Sequence, residues 1–110
     1  MQTSGNLFGP IPKNLAEEHF EKLAEGEGLV VERIVSQGHA SPAGFWYDQP
    51  RDEWVAVVSG EAVLRFEGEE PQRLRAGDWV LIPARRRHRV ESTSAAEPTI
   101  WLAVHFKGML

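Results

Sequence analysis

The strongest constraint on this chain is its punctuation. Runs rich in Val, Ile, Phe and Trp never extend far before glycine or proline interrupts them, with ten glycines and seven prolines among 110 residues. Such spacing suits short strands joined by turns and argues for a β domain of the sandwich or small-barrel kind. Strands are predicted at 29–36, 44–48, 53–59, 61–67, 72–75, 79–82, 87–92 and 99–106. Ser59-Gly60-Glu61 and Arg75-Ala76-Gly77-Asp78 read as tight turns, and residues 67–71 as a longer polar loop. One helix is predicted before the strands. Asn14 caps it, Glu17 completes a capping box, and Gly26 stands where it would stop. Leu15, His19, Phe20 and Leu23 then share one side, with His19 as a packing or surface residue, and glutamates 17, 18, 21 and 25 form a solvated face.

Because successive strand residues point to opposite faces, parity assigns side chains to the core. Ala62, Leu64 and Phe66 share a face, while Arg65 and Glu67 take the other. Two polar residues fall among apolar ones: Glu53 shares parity with Val55 and Val57, and His88 with Val90. A carboxyl and an imidazole on apolar faces need partners, since an unpaired buried charge is costly. These two residues are the first candidates for a site.

Composition narrows the chemistry. The chain has no cysteine, which excludes disulfides, iron–sulfur clusters, thiolate zinc and cysteine nucleophiles. Any metal must be held by nitrogen and oxygen, and there are four histidines: His19, His39, His88 and His105. The net charge of -4 argues against nucleic acid as a partner. No apolar run approaches membrane-spanning length, so no membrane association is expected. Residues 1–12 lack the pattern of a signal peptide, and the expected location is cytoplasmic.

The spacing of the polar anomalies resembles that of the cupin family, small jelly-roll barrels with two signature motifs. The first runs G-x5-H-x-H-x3 or x4-E-x6-G, and its second half is matched by Glu53, six residues, and Gly60. The second runs G-x5-P-x-G-x2-H-x3-N and is matched by Gly77, Pro83 and His88, with Arg85 in place of the intervening glycine and Ser92 in place of the asparagine. The resemblance covers roughly residues 29–106. It implies an all-β fold, a cupin double-stranded β-helix, with residues 1–28 as an arm and short helix and 29–110 as the barrel. It also implies a homodimer.

In metal-binding cupins, two histidines and the glutamate of the first motif and the histidine of the second hold a divalent ion such as iron, zinc, nickel or manganese. Glu53 and His88 carry over by position. The two motif-one histidines do not: their places are Tyr47 and Gln49 with the shorter spacing, or Trp46 and Asp48 with the longer. Pro50 directly after Gln49 favours the shorter. The expected set is therefore Glu53, His88, Tyr47 and Gln49, with Asp48, His39 and His105 as alternates. Arg85, Arg86, Arg87 and Arg89 surround His88, and Arg85 and Arg87 are candidates to attract an anionic ligand, against their reading as a solvated loop. Trp54, Trp79 and Trp101 read as core or interface residues.

Three functions stay open at this level. The first is a barrel that binds a small polar or anionic molecule, with or without a divalent metal, in a cavity lined by Tyr47, Gln49, Glu53 and His88. The second is a metal-dependent oxygenase or isomerase. The third is a metal-free acid/base enzyme of the sugar isomerase or epimerase kind, in which Glu53 and His88 move protons.

Overall fold

A computed structural model describes residues 2–13 and 15–107. Eight strands follow one another: β1 (His19–Gly26), β2 (Leu29–Ser36), β3 (Asp52–Ser59), β4 (Glu61–Phe66), β5 (Gln72–Arg75), β6 (Trp79–Ile82), β7 (His88–Thr93) and β8 (Thr99–Phe106). They form two antiparallel sheets, one ordered β1-β2-β8-β3-β6 and the other β5-β4-β7. Among the described residues there is no helix. The alternation read from the sequence is what packs the sheets together. Val55 and Val57 of β3, Trp101 and Ala103 of β8, and Val80 and Ile82 of β6 meet Ala62, Leu64 and Phe66 of β4 and Leu74 of β5 in one core. Each large apolar side chain buried there contributes roughly 1.5–3 kcal/mol.

Two turns between strands depend on glycine. Gly60 turns the chain from β3 in one sheet to β4 in the other with φ +91°, and a Cβ there would lie 2.6 Å from the Thr99 Cα. The Thr99 hydroxyl closes the same corner, donating to the Glu61 carbonyl at 3.0 Å and accepting from its N–H at 3.2 Å. Gly77, with φ +96°, turns β5 into β6 and donates its N–H to the Val57 carbonyl at 2.8 Å. Arg85 occupies the left-handed region too, at φ 66°. This is the motif position where similar sequences carry glycine, and the backbone geometry supplies the reason.

The helix expected over residues 14–26 is replaced by strand β1, with Asn14 outside the described residues. Gly26 pairs with Leu29, so Glu27-Gly28 is a two-residue hairpin loop and Gly28 takes the positive φ (+68°) such a loop needs. The helical spacing of Leu15, Phe20 and Leu23 had no apolar surface to lie against, whereas the free edge of β2 offered a full ladder of hydrogen bonds. Tertiary pairing overrides local propensity in such cases. As an edge strand β1 carries charged residues and an irregularity between Lys22 and Ala24, both of which discourage further strand addition.

The segment before β1 lies over the outside of the larger sheet. Arg33 of β2, 4% exposed, holds it there: the guanidinium donates to the carbonyls of Leu7, Gly9 and Pro10 and to Glu21 at 2.6 Å. The strand expected at 44–48 shrinks to a single bridge, Tyr47 with His88, because Pro42 and Pro50 bracket it and Gly44 takes φ +76°. That bridge positions Tyr47 in the site.

Candidate functional site

The two sheets do not close completely at one end, and a cavity of about 120 Å³ opens between them. Glu32 and Ile34 of β2, Glu53 and Val55 of β3, and Trp101 and His105 of β8 line it from the larger sheet. Leu64 of β4 and His88 and Val90 of β7 line it from the smaller one. Tyr47 and Gln49 come from the loop before β3, Ile82 from β6, and Glu18 and Phe20 from the region of β1.

Glu53 and His88 face each other across this space, 7% and 4% exposed. The His88 Nδ1 lies 2.8 Å from the Arg86 carbonyl. A carbonyl only accepts, so Nδ1 carries the hydrogen and Nε2 of the neutral ring presents a lone pair. That Nε2 is 4.0 Å from the Glu53 Oε1, beyond hydrogen-bonding distance. The Gln49 amide donates to the same Oε1 at 3.4 Å. Burial holds the Glu53 carboxyl above the ordinary glutamate range, an effect opposed by His105, His88 and the Gln49 hydrogen bond and reinforced by Glu32.

Tyr47 is fixed by its neighbours. Its ring stacks on His88 at 5.3 Å and 22°, and the Phe45 edge meets it at 4.8 Å. Backbone hydrogen bonds run both ways between Tyr47 and His88, at 2.7 and 3.2 Å. Burial, then Glu18 and Glu53, push the Tyr47 hydroxyl above its usual value, so the phenol keeps its proton at neutral pH.

A second pair lies beside the first. The His105 Nε2 is 2.9 Å from the Glu32 Oε1 and donates to it, while its buried Nδ1 has no hydrogen-bond partner. Glu53 and His105 are direct cross-strand neighbours of β3 and β8. Glu18 is held from β2: the Ser36 hydroxyl donates to its Oε2 at 2.5 Å and accepts from the Trp101 indole N–H at 3.2 Å. Sequence reasoning missed Glu18 and Glu32. For Glu32 the signal was present, since it shares parity with Val30 and Ile34 just as Glu53 does with Val55 and Val57.

The remaining candidates lie elsewhere. Asp48 is exposed and accepts from the Arg85 guanidinium at 3.3 Å, and Trp46 lies beneath Arg65 and Arg89. Arg87 is 3.5 Å from Glu67. None of these lines the cavity. His39 donates from Nε2 to the Leu15 carbonyl at 3.1 Å and accepts from the Gln37 N–H at 2.9 Å, which uses both ring nitrogens.

The donor set does not fit a tight divalent-metal centre. Among the described residues no three His, Asp or Glu side chains are arranged to hold an ion. The two places that imidazoles would fill carry a phenol that keeps its proton and an amide whose N–H₂ turns toward Glu53.

Residues 32–105 match the family model described as Cupin domain (Cupin_2). Among solved structures, a candidate mannose-6-phosphate isomerase from Ralstonia eutropha JMP134 is similar with TM-score 0.94 and 52% identity, over 97% of this chain and 100% of that one. A cupin superfamily protein from Desulfitobacterium hafniense DCB-2 gives TM-score 0.73 at 16% identity, over 89% and 84% of the two chains. The DMSP lyase DddQ from Ruegeria pomeroyi DSS-3 gives 0.64 at 24%, over 76% of this chain and 41% of that one. At such identities the last two speak for the fold alone. No curated protein matches the chain.

Proposed function

Because the chain belongs to the cupin domain family, whose barrel is a scaffold that hosts many unrelated functions, we propose its function from the cavity itself: it binds a small polar molecule between Glu53 and His88. One observation carries this reading. The Glu53 Oε1 and the His88 Nε2 stand 4.0 Å apart and face the same space, with the far side of the imidazole already engaged by the Arg86 carbonyl. The pair is too wide to satisfy itself. A ligand oxygen or nitrogen lying off the line between them reaches both at about 2.8 Å.

The inner part of the cavity, about 120 Å³, is somewhat below the roughly 150 Å³ that accommodates benzene, so it takes about half a dozen non-hydrogen atoms of a ligand. Apolar walls from Val55, Leu64, Ile82 and Val90 flank the polar end.

A second reading is favoured by the state of Glu53. A carboxyl that keeps its proton beyond the ordinary range can donate it, and the His88 Nε2 lone pair can accept one. On a hydroxy-carbonyl compound, His88 would take a proton from the hydroxyl-bearing carbon as Glu53 protonates the carbonyl oxygen, giving the enediol. Glu53 would then take the proton of the other hydroxyl as His88 returns its proton to the former carbonyl carbon, completing an isomerisation. This supports carrying over the proton-transfer chemistry of an isomerase from the Ralstonia relative, but not its sugar phosphate. The phosphate of a sugar phosphate held here would meet Glu18, Glu32 and Glu53 with no lysine or arginine among the described lining residues.

The test uses dihydroxyacetone and aminoacetone, which match the cavity in size. Binding is followed by saturation-transfer NMR, and incorporation of deuterium from D₂O at the carbon beside the carbonyl by loss of its proton signal. Binding by wild type that is lost in Glu53→Gln and His88→Gln, with circular dichroism unchanged, supports the site. Deuterium incorporation that falls by about 10²-fold or more in both variants supports the acid/base reading. Binding that both variants retain at full strength overturns the proposal.

A further inference from the structure

The ionisable groups facing the cavity are unbalanced in charge. Glu18, Glu32 and Glu53 contribute three carboxyl groups, opposed only by the imidazoles of His88 and His105. With Glu53 ionised, the carboxylates outnumber the imidazoles even if both rings are charged. None of the twelve lysines and arginines lines the space. The arginines nearest His88 in sequence are engaged outside it: Arg85 with Asp48, Arg86 with Glu69, Arg87 with Glu67 and Arg89 with Glu91. Their charge is spent on surface carboxylates, so little positive field reaches inward.

Hydrogen-bonding capacity points the same way. His105 is 8% exposed, donates from Nε2 to Glu32, and leaves Nδ1 as a buried nitrogen with no partner. His88 leaves its Nε2 lone pair free. Of the two, the His88 Nε2 faces Glu53 across the cavity, and a ligand carrying N–H groups would supply the donor it lacks. The aromatic rings of Tyr47 and Trp101 line the same space, and ring faces attract cations electrostatically.

From this imbalance we propose that the ligand is a small protonated amine, its ammonium group directed at Glu53 and the two imidazoles and its carbon part against the apolar wall. The proposal rests on the reading of this cavity as the ligand site and goes beyond it in naming the ligand's charge class. It also replaces the expectation of an anionic ligand attracted by Arg85 and Arg87, since neither guanidinium faces the cavity.

Three probes of the same size separate the classes: isopropylammonium, isopropanol and acetate. Each is titrated into ¹⁵N-labelled protein at neutral pH, following the Trp101 indole N–H and the backbone amides of residues 47, 53, 88 and 105. The expected result is that isopropylammonium shifts these resonances with an affinity at least ten times that of either other probe. Glu53→Gln is expected to reduce the amine affinity at least ten times more than it reduces the isopropanol affinity, with Glu32→Gln as a second variant should the first fold poorly. Isopropanol or acetate binding as tightly as the amine overturns the cation inference while leaving the cavity as a ligand site. The cation inference falls equally if neither carboxyl variant weakens the amine. If none of the three shifts the cavity resonances, both proposals fall.

Discussion

Replacing Gly60 and Gly77 separately by alanine separates two physical effects that the motif glycines combine. Both residues hold φ near +90°, a conformation that an L side chain adopts at a cost of about 1–3 kcal/mol. At Gly77 that is the whole penalty, because an added Cβ has no atom within 4 Å. It is partly offset by about 0.4–1 kcal/mol from the smaller conformational freedom of the unfolded chain. At Gly60 the added Cβ would lie 2.6 Å from the Thr99 Cα and 2.8 Å from the Pro98 carbonyl oxygen, both backbone atoms at the start of β8. Neither can rotate away, so the corner between the sheets must open, at an overpacking cost of about 1–3 kcal/mol more. Gly60→Ala is therefore expected to destabilise by about 3–5 kcal/mol, a large part of the roughly 5–15 kcal/mol typical of a domain. Gly77→Ala should cost about 1–2 kcal/mol. Urea unfolding followed by tryptophan fluorescence measures both, with an unchanged slope showing that stability changed and the surface exposed on unfolding did not. Equal losses at the two positions, within about 0.5 kcal/mol, would refute the steric argument and leave φ as the sole reason for Gly60.

Other substitutions test the remaining physical claims. Arg85→Gly should stabilise by about 0.5–1 kcal/mol, because φ 66° suits glycine and the exposed contact with Asp48 is worth little; a loss of stability in urea counts against the strain. Burial raises the Glu53 carboxyl in the folded chain, so this group's contribution to stability is complete below the ordinary glutamate range near 4.5 and is lost as pH rises through the higher folded value. Glu53→Gln should therefore raise the urea midpoint at pH 7 and have little effect at pH 4, and an equal effect at both contradicts the direction of the shift. Tyr47→His with Gln49→His should add two imidazoles beside Glu53 and His88 and create a zinc site, seen as stabilisation of about 2.7 kcal/mol at a hundredfold excess over Kd; wild type should show none. The outward face of β3, β6 and β8 sets Trp54 against Leu81 and Val104, and Ala56 against Trp79 and Leu102, with Trp79 60% exposed. A continuous apolar face of this kind suits the expected homodimer, and Trp79→Glu should shift the sedimentation of such a dimer toward monomer.

What was legible in the sequence followed from periodicity and spacing. A period of two fixes which residues of β3 and β4 face inward, and so revealed Glu53 beside Val55 and Val57. It revealed Glu32 equally, beside Val30 and Ile34, but without a motif to draw attention to it. The fixed distances from Glu53 to Gly60 and from Gly77 to His88 reflect corners where only glycine fits, which is why they survive as a pattern. Strand β1 was not legible. Residues 15–23 have the spacing of an amphipathic helix, and the choice of strand depends on the unpaired edge of β2, a property of the assembled sheet. Glu18 was hidden for the same reason, since it reaches the cavity only through its hydrogen bond from Ser36. The arginines around His88 misled because sequence adjacency says nothing about direction. Their neighbours in the fold are Asp48, Glu67, Glu69 and Glu91, and each pairs outward.

The departures at Tyr47 and Gln49 and the charge of the cavity belong to one problem. A divalent ion brings positive charge to a carboxylate in a dry barrel, and a chain that replaces two imidazole ligands must stabilise that carboxylate differently. Here the solution is distributed. Gln49 donates to Glu53 instead of coordinating, the Glu32 carboxylate takes the N–H of His105, and Ser36 donates to Glu18. Each carboxyl group thus has one donor, yet none has a fixed cation, and the Glu53 carboxyl answers by holding its proton more tightly. This arrangement is adequate without a ligand and incomplete in a specific way, short of N–H donors and of one positive charge. A protonated amine supplies both at once. A metal could supply the charge but finds a protonated phenol and a neutral amide where the motif has imidazoles, and an anion supplies neither. The chemistry lost with the motif-one histidines and the ligand class inferred from the cavity are therefore consequences of the same unpaired carboxylate.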